Sequence, residues 1–522
     1  MALASISKVV LRAPTRSKPR TVVGLVAFSL FIDYFLYGMV MPLIPHSRAK
    51  VSHHLRSERP GSWQVSARLP FQRVSVLGTI ALATTPPFLS AFKGQPDLLG
   101  QPGLSGAGGH HSPPMKGAIL MIQSLESPDS LLAALNRGES LPARWYTDPS
   151  ITALEIEMIF RKTWNYIGAA KELAGVGDYI TGNAGEVPVV VIRNKAGLAG
   201  FINVCRHRRH EVMKGRGNAK IMQCPYHAWS YDLAGCLKGA PRSAAEPGFR
   251  LEDYPLLSIK VEALGPFVFV NLDSNASSLA SFFGGLLEII TASGINLDTL
   301  ELYQREEWHA RANWKTMLEN YLECYHCAVA HPGFSAAIDV TPENYNLTAH
   351  GWFASQVGQV RQSALEGKAK VKTYDARGEV AQAQYHLLWP NVTININPGF
   401  PNLSIDVWVP DGPNQARGFS EHYFGPGVSE QFAQDLIAFS KQVGDEDDAL
   451  TNSVQHGLLG GIPERGRFLI NSEHLCIHFQ KLIVNALTER LPAIERASQA
   501  SPAVVPRTVS VTASESAAPE NE

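Results

Sequence analysis

The sequence predicts an α+β protein in which strands and helices are largely segregated along the chain. Three observations carry that expectation. From Glu186 the chain falls into short β-rich runs, VPVVVIRN, LAGFINVC, IKVEAL and FVFVNLD, punctuated by the turns KAG and GP. After Asp273 stretches with helical spacing take over, SLASFFGGLLEIITAS and NWKTMLENYLECYHCAVA. Two further strand-like runs, NVTININP and LSIDVWVP, precede a final helical stretch from about Ser429 to Leu459.

These textures divide the chain into residues 1–114, an extension; 115–155, a helical N-terminal part; 156–272, a small antiparallel β domain; 273–495, a mixed domain; and 496–522, a disordered tail rich in Ala, Ser, Pro and Glu. In the extension, Lys8, Arg12, Arg16, Lys18 and Arg20 stand without an acid before the apolar run 22–44, whose only charge is Asp33. Because about 20 apolar residues cross a bilayer, this run is a candidate transmembrane anchor, and the basic start equally fits an organelle-targeting peptide. LFIDYFLYGMVMPLIP resembles the first transmembrane helix of major-facilitator carriers, but the remaining helices of such a carrier are missing, which excludes that function. A Gly/Pro/Ser-rich linker, 93–114, leads to Met115, where the globular part of the chain is expected to begin. Residues 1–114 therefore also read as a fused or misread segment ahead of a soluble protein.

Forty-six basic and 47 acidic residues give a net charge of -1, so no global field draws in nucleic acid or an anionic membrane. Six cysteines in 522 residues are too sparse for a disulfide framework. They fit a reducing compartment, and the catalytic domains are expected to be cytoplasmic.

Four of the potential ligands fall in two short loops. Cys205 and His207 are one residue apart, Cys224 and His227 two, with 16 residues between the pairs. Cys and His could bind structural zinc, but zinc sites more often pair CxxC first and HxxxH second. One Cys and one His per loop suits a two-iron, two-sulfur cluster with unlike irons, one taking both thiolates and the other both imidazoles. Such ligation raises the potential to roughly -150 to +300 mV, high enough to pass electrons to an oxygen-activating iron. Cys236, beyond the second loop, is expected to pack in the core.

NWKTMLENYLECYHCAVAHP offers half of a second site, since oxygen-activating non-haem iron is commonly held by two His and one carboxylate. Read as one helix, it places Glu319, Glu323, His326 and Cys327 on one face. His331, just before Pro332 where the helix should end, can turn towards the same metal as His326. The third ligand must come from further on, and DEDD at 445–448, otherwise a solvated helix start, offers several acids. Val443, Asp447, Leu450 and Val454 are spaced four, three and four, which puts Asp447 on an apolar face, Glu446 at its margin, and Asp445 and Asp448 away from it. Cys324 and Cys327 form a CxxC without a second pair and are read as helix residues packed near the iron.

CRHRRHEV, CPYHAWSYDLAG, ECYHCAVAHP and VGDEDDALTNSVQHGL, with WPN at 389–391, resemble the α subunits of Rieske-type non-haem iron oxygenases, the ring-hydroxylating family, over about Leu120 to Leu487. The respiratory Rieske proteins differ, because they carry a disulfide over the cluster where this chain has Arg209 or His210 and Tyr226. The resemblance implies a Rieske domain joined to a helix-grip (START-like) catalytic domain, with Asp447 as the carboxylate ligand of the iron. It also implies a homotrimer in which the cluster of one subunit faces the Fe(II) of the next. Electrons would come from NAD(P)H through a separate flavin reductase, as the chain has no convincing nucleotide motif of its own.

Glu323 occupies the position of the acid that bridges the two centres in the family. Glu in this setting resembles the branch acting on choline, carnitine and glycine betaine, where hydroxylation beside the nitrogen leads to N-demethylation or C–N cleavage. A quaternary ammonium group would be held by aromatic faces, for which Tyr321, Tyr385 and Trp389 are candidates. An aromatic-ring dioxygenase is the alternative within the family, and a non-catalytic, membrane-attached zinc-binding protein the alternative outside it. One departure stands out: Arg209 replaces a Gly of the family pattern. If the backbone there is left-handed, Arg costs on the order of 1 kcal/mol.

Overall fold

A computed structural model describes residues 126–489, apart from positions 370 and 372. The expectations for the extension 1–114, its apolar run 22–44, the linker 93–114, the start at Met115 and the tail 496–522 lie outside the described residues. No helix among the described residues is long and apolar enough to cross a membrane.

After three helices, Pro128–Asn136, Arg144–Thr147 and Pro149–Glu155, the chain enters a seven-stranded antiparallel sheet. Its order is Asn165–Ala169, Phe267–Asn271, Ser258–Leu264, Gly197–Ile202, Val187–Asn194, Asp178–Ala184, Arg216–Asn218. The run VPVVVIRN lacks polar alternation because both its faces are covered. Val189 and Val191 pack with Ile180 and Val268, whereas Val190 and Ile192 pack with Phe201, Cys205, Cys224 and Trp229 beneath the ligand loops. A three-stranded sheet of Met222–Gln223, Ser230–Tyr231 and Leu237–Gly239 carries the second loop. Cys236 is exposed in the turn before Leu237, not in the core as expected. Strand alternation gives the inward position to Leu237 instead.

The second domain is built on an eight-stranded antiparallel sheet in which Glu301–Ala310, Ala416–Phe424, Asn402–Pro410, Val392–Ile396, Gln382–Leu388, Phe353–Val360 and Ile338–Asp339 follow one another and Tyr345–Ala349 joins Phe353–Val360. One face, with Ile394, Leu403, Ile405 and Val407, packs in a single core with the helix His474–Leu487. That gripped helix is absent from the sequence reading, which ends its helices at Leu459. HLCIHFQKLIVNAL does carry the helical signal: His474, His478, Lys481 and Asn485 recur at steps of four, three and four on the less buried side, and Leu475, Cys476, Phe479, Ile483, Val484 and Leu487 are buried opposite them.

Two local expectations change. The helix Trp314–Tyr321, capped by Asn313, ends before Glu323, so Glu319, Glu323, His326 and Cys327 do not share a helical face. The Glu323 carboxylate accepts from the backbone N–H groups of Tyr325 and His326, which favours a turn there over continued helix. Cys324 and Cys327 flank this turn as a disulfide with Cα atoms 4.9 Å apart, rather than as two free thiols on a helix. The long helix Glu430–Gly460 buries Phe432, Leu436, Phe439, Thr451 and Gln455, while Leu450 and Val454 are exposed. Asp447 lies on the buried face, but four-residue steps through Val443, Thr451 and Gln455 define that face, not Leu450 and Val454.

Glu421, 0% exposed, ties the two sheets together. It accepts from Tyr166 at 2.6 Å, Tyr423 at 2.7 Å and Arg216 at 2.8 Å, and also from Arg305. Tyr166 and Arg216 belong to the first sheet; Arg305, Glu421 and Tyr423 belong to the second.

Candidate metal centres and substrate cavity

The two ligand loops of the first domain share one backbone plan. In each, the Cys N–H donates across the loop mouth, Cys205 to the His210 carbonyl at 2.8 Å and Cys224 to that of Trp229 at 2.9 Å. In each, the residue four positions on donates back to the Cys carbonyl, Arg209 at 3.1 Å and Ala228 at 3.0 Å. Both of those residues sit at φ +59°, the left-handed region. The condition attached to Arg209 is therefore met, and Ala228 occupies a second such position that sequence spacing had not exposed.

The plan buries Cys205 and Cys224 and leaves His207 and His227 exposed, their rings 4.6 Å apart. His207 stacks on Trp229 at 5.0 Å, and the Tyr231 hydroxyl lies 3.4 Å from the Cys205 sulfur. Desolvation, then the charges of His207 and Arg208, hold the His227 imidazole below its ordinary pKa, favouring the neutral form that binds metal. Two buried thiols beneath two outer imidazoles fit a cluster whose inner iron is sulfur-ligated and whose outer iron is nitrogen-ligated.

In the second domain His326, His331 and Asp447 come together, their ligand atoms all within 4.8 Å of one another. His331 Nε2 lies 3.0 Å from His326 Nε2 and 3.0 Å from Asp447 Oδ1, and the third side of the triangle is 3.4 Å. Three mutually adjacent octahedral ligands, each about 2.1 Å from a metal, would stand about 3.0 Å apart, so the triangle suits a facial two-His, one-carboxylate site.

Each imidazole is turned by a carboxylate on its far nitrogen. Glu323 holds His326 Nδ1, and Glu446 holds His331 Nδ1 at 2.8 Å. Asn320 Nδ2 donates to Asp447 Oδ1 at 2.6 Å. Burial lowers the His326 pKa, but Asp447 and Glu323 more than offset it and carry it to about 9. Burial likewise raises Asp447, and bonds from His326 and His331 bring it down to about 2. Without a metal, then, the donor set holds a proton where a cation is wanted.

Asn320 and Glu446 are functional neighbours that the sequence reading did not identify. Glu446 sits beside Asp447 in DEDD, but its partner His331 lies 115 residues away, so nothing local marked it. Asn320 is the next-to-last residue of the capped helix and faces the long helix only through tertiary packing.

A cavity of about 540 Å³ opens onto these residues. Tyr321 and Tyr385 line it, together with Tyr345, Phe334 and Trp408. The Tyr321 hydroxyl donates to Asn395 Oδ1 at 2.8 Å and that of Tyr385 to Asn397 Oδ1 at 2.9 Å. Trp389 does not line the cavity. It is 2% exposed in the core, with its ring 5.7 Å from Phe479 and 6.5 Å from Trp352, because it sits at the sheet end that the gripped helix covers.

Known proteins agree with this geometry. Residues 163–255 match the Rieske 2Fe-2S domain family, and residues 297–489 match the ring hydroxylating alpha subunit, catalytic domain. The carnitine monooxygenase oxygenase subunit of Escherichia coli (strain K12) is 31% identical over 375 residues, covering 69% of this chain and 97% of that protein. The chloroplastic choline monooxygenase of Arabidopsis thaliana is 27% identical over 374 residues, covering 69% and 86%. A crystal structure of a quaternary ammonium Rieske monooxygenase with L-carnitine superposes with a TM-score of 0.60 at 30% identity, covering 69% of this chain and 98% of that one. Naphthalene 1,2-dioxygenase from Rhodococcus sp., at 19% identity and a TM-score of 0.59 over 70% and 98%, shares the fold.

The chain is thus an oxidoreductase of the type that uses a two-iron, two-sulfur cluster and a mononuclear iron, receives electrons from a separate reductase and acts on a small molecule. It belongs to the Rieske non-haem iron oxygenase α subunits, the ring-hydroxylating family, on the branch of the carnitine and choline monooxygenases.

Proposed function

We propose that this oxygenase hydroxylates a carbon beside the nitrogen of a quaternary amine. The resulting carbinolamine collapses to an amine and an aldehyde, giving N-demethylation or C–N cleavage. The observation that carries the reading is the cavity: Tyr321, Tyr385, Tyr345, Phe334 and Trp408 surround a space that ends on His326, His331 and Asp447. Aromatic faces are what a trimethylammonium group, unable to donate a hydrogen bond, requires. The named relatives act on carnitine and choline, whereas the naphthalene enzyme is a likeness of fold alone.

In this reading Cys205, His207, Cys224 and His227 hold the cluster, and His326, His331 and Asp447 hold the iron. The iron, when bound, supplies the reductive activation of dioxygen. Glu446 and Glu323 keep the two imidazoles turned with Nε2 towards it. Glu323 holds His326 and keeps 11% side-chain exposure, a position suited to bridging towards the cluster of a neighbouring subunit. Tyr325, Val329, Leu450, Val454 and Ile462 are large apolar side chains left exposed, which supports a homotrimer in which a neighbouring subunit covers such surface.

The enzyme proper spans residues 115–495, with the Rieske domain at 156–272 and the catalytic domain at 273–495. It acts in the cytoplasm or, if residues 1–114 are a targeting segment, in an organelle, as the chloroplastic names of the choline monooxygenases suggest.

The test is anaerobic reconstitution with iron and sulfide, followed by a screen with a reductase and NAD(P)H. Quaternary amines should stimulate NAD(P)H oxidation and release aldehyde in proportion. Oxidation of naphthalene without a response to any quaternary amine would overturn the reading.

A further inference from the structure

We propose that Asp406 restricts the substrate to an ammonium cation that carries no carboxylate, so that choline-like molecules are accepted and zwitterionic betaines are not. The inference deepens the quaternary-amine reading and rests on it. Ser404, Asp406 and Trp408 alternate along the strand Asn402–Pro410 and line the cavity, while Leu403, Ile405 and Val407 face the core. Asp406 is held rigidly. Its Oδ2 accepts from Asn395 Nδ2 at 2.6 Å and from Thr393 Oγ1 at 3.1 Å. Asn395 is itself oriented by the Tyr321 hydroxyl, which donates to its Oδ1 at 2.8 Å. One of the cage tyrosines therefore fixes the carboxylate through a single amide.

Both donors to Asp406 are neutral, its Oδ1 takes no hydrogen bond among the described residues, and no described Lys, Arg or His pairs with it. A carboxylate facing a confined cavity with only neutral partners is an anion without a counter-charge, and it favours a cationic ligand. The same wall offers little to a second, anionic end of a substrate. No arginine lines the cavity among the described residues, and the single lining lysine, Lys441, is paired with Asp445 at 2.8 Å and is 65% exposed. His422 Nε2 lies 3.6 Å from Glu306 and makes no hydrogen bond among the described residues, and His309 is the other lining histidine away from the iron. A betaine carboxylate would enter a space in which, away from the iron, Glu306, Glu307, Asp406, Asp445 and Asp448 outnumber the one lysine, which is already paired.

The test is equilibrium binding by anaerobic calorimetry on the full, iron- and cluster-loaded chain, which needs no turnover. The probes are choline, its uncharged tert-butyl isostere with carbon in place of nitrogen, glycine betaine and L-carnitine. Choline should bind at least about tenfold more tightly than the isostere and than either betaine. Asp406→Asn should weaken choline several-fold towards the isostere while leaving the isostere unchanged, and Asp406→Glu should restore part of the difference. Betaines that bind as well as choline, or an affinity for choline that Asp406→Asn leaves unchanged, would overturn the proposal and leave the quaternary-amine reading standing. Binding of naphthalene with no affinity for any ammonium compound would overturn both. The comparison of choline with the betaines uses the unaltered chain, so the exclusion of carboxylates is tested even if a variant fails to fold.

Discussion

Glu446 Oε2 lies 2.8 Å from His331 Nδ1, which leaves the other ring nitrogen, Nε2, to face Asp447 Oδ1 at 3.0 Å. A carboxylate on the far nitrogen fixes the tautomer and the ring orientation of a metal-binding histidine, and removing such a partner costs about 10- to 100-fold in metal affinity. Glu446→Ala is therefore expected to lose iron by that factor without loss of the cluster. Iron and sulfide analysis, with Fe(II) titration of the mononuclear site, checks this. Glu446→Gln, which can still accept from Nδ1, should fall between the two.

The same pair shows what could be read from the sequence. The Cys/His loops and the two histidines before Pro332 are short-range patterns, and their chemistry follows from residue type and spacing. Asp447 was reached from the right helix by a face that is partly wrong, because Leu450 and Val454 are exposed and polar Thr451 and Gln455 are buried. Buried polar residues on a helix are invisible to hydrophobic periodicity. Glu446, Asn320 and Asp406 act through partners brought close only by packing of the long helix and the sheet. Trp389 had the right residue type near the right strand, and the core claimed it.

Arg209 and Ala228 both stand at φ +59°, at matching positions of the two cluster loops. A side chain in this region costs on the order of 1 kcal/mol relative to Gly, more than the entropy that Gly regains in the unfolded chain. Arg209→Gly should therefore raise the melting temperature of the cluster domain and the fraction of chains that retain sulfide, with Ala228→Gly acting in the same direction. Lower cluster retention in Arg209→Gly would show that the exposed Arg side chain makes a compensating contribution.

Lys315 and Glu155, both 0% exposed, pair at 2.6 Å, and Glu155 also accepts from Trp314 Nε1 at 2.8 Å. This pair anchors the helix leading to Asn320 onto the N-terminal helices. Breaking a buried pair from one side strands a charge and costs about 3–5 kcal/mol, whereas replacing both partners by apolar side chains is often close to neutral. Lys315→Met should accordingly lower the melting temperature sharply. Lys315→Met with Glu155→Leu should recover most of the loss, and thermal melts of the two variants beside the unaltered chain measure the difference.

Metal loading should depend on pH through His326. In the metal-free protein burial opposes its charge, but Asp447 and Glu323 outweigh burial and hold its pKa at about 9. The folded-state pKa is raised, so the protonated imidazole stabilises the metal-free fold fully below the ordinary histidine value, and that contribution fades as pH rises to about 9. Iron needs the Nε2 lone pair and must displace this proton. Its apparent affinity should rise about tenfold per pH unit through the neutral range and level off near pH 9. Fe(II) titrations at stepped pH measure the slope. A flat profile would mean that the carboxylates share their negative charge with another cation and leave His326 neutral. Glu323→Gln, which removes one of the two groups holding the proton, should shift the levelling-off to lower pH.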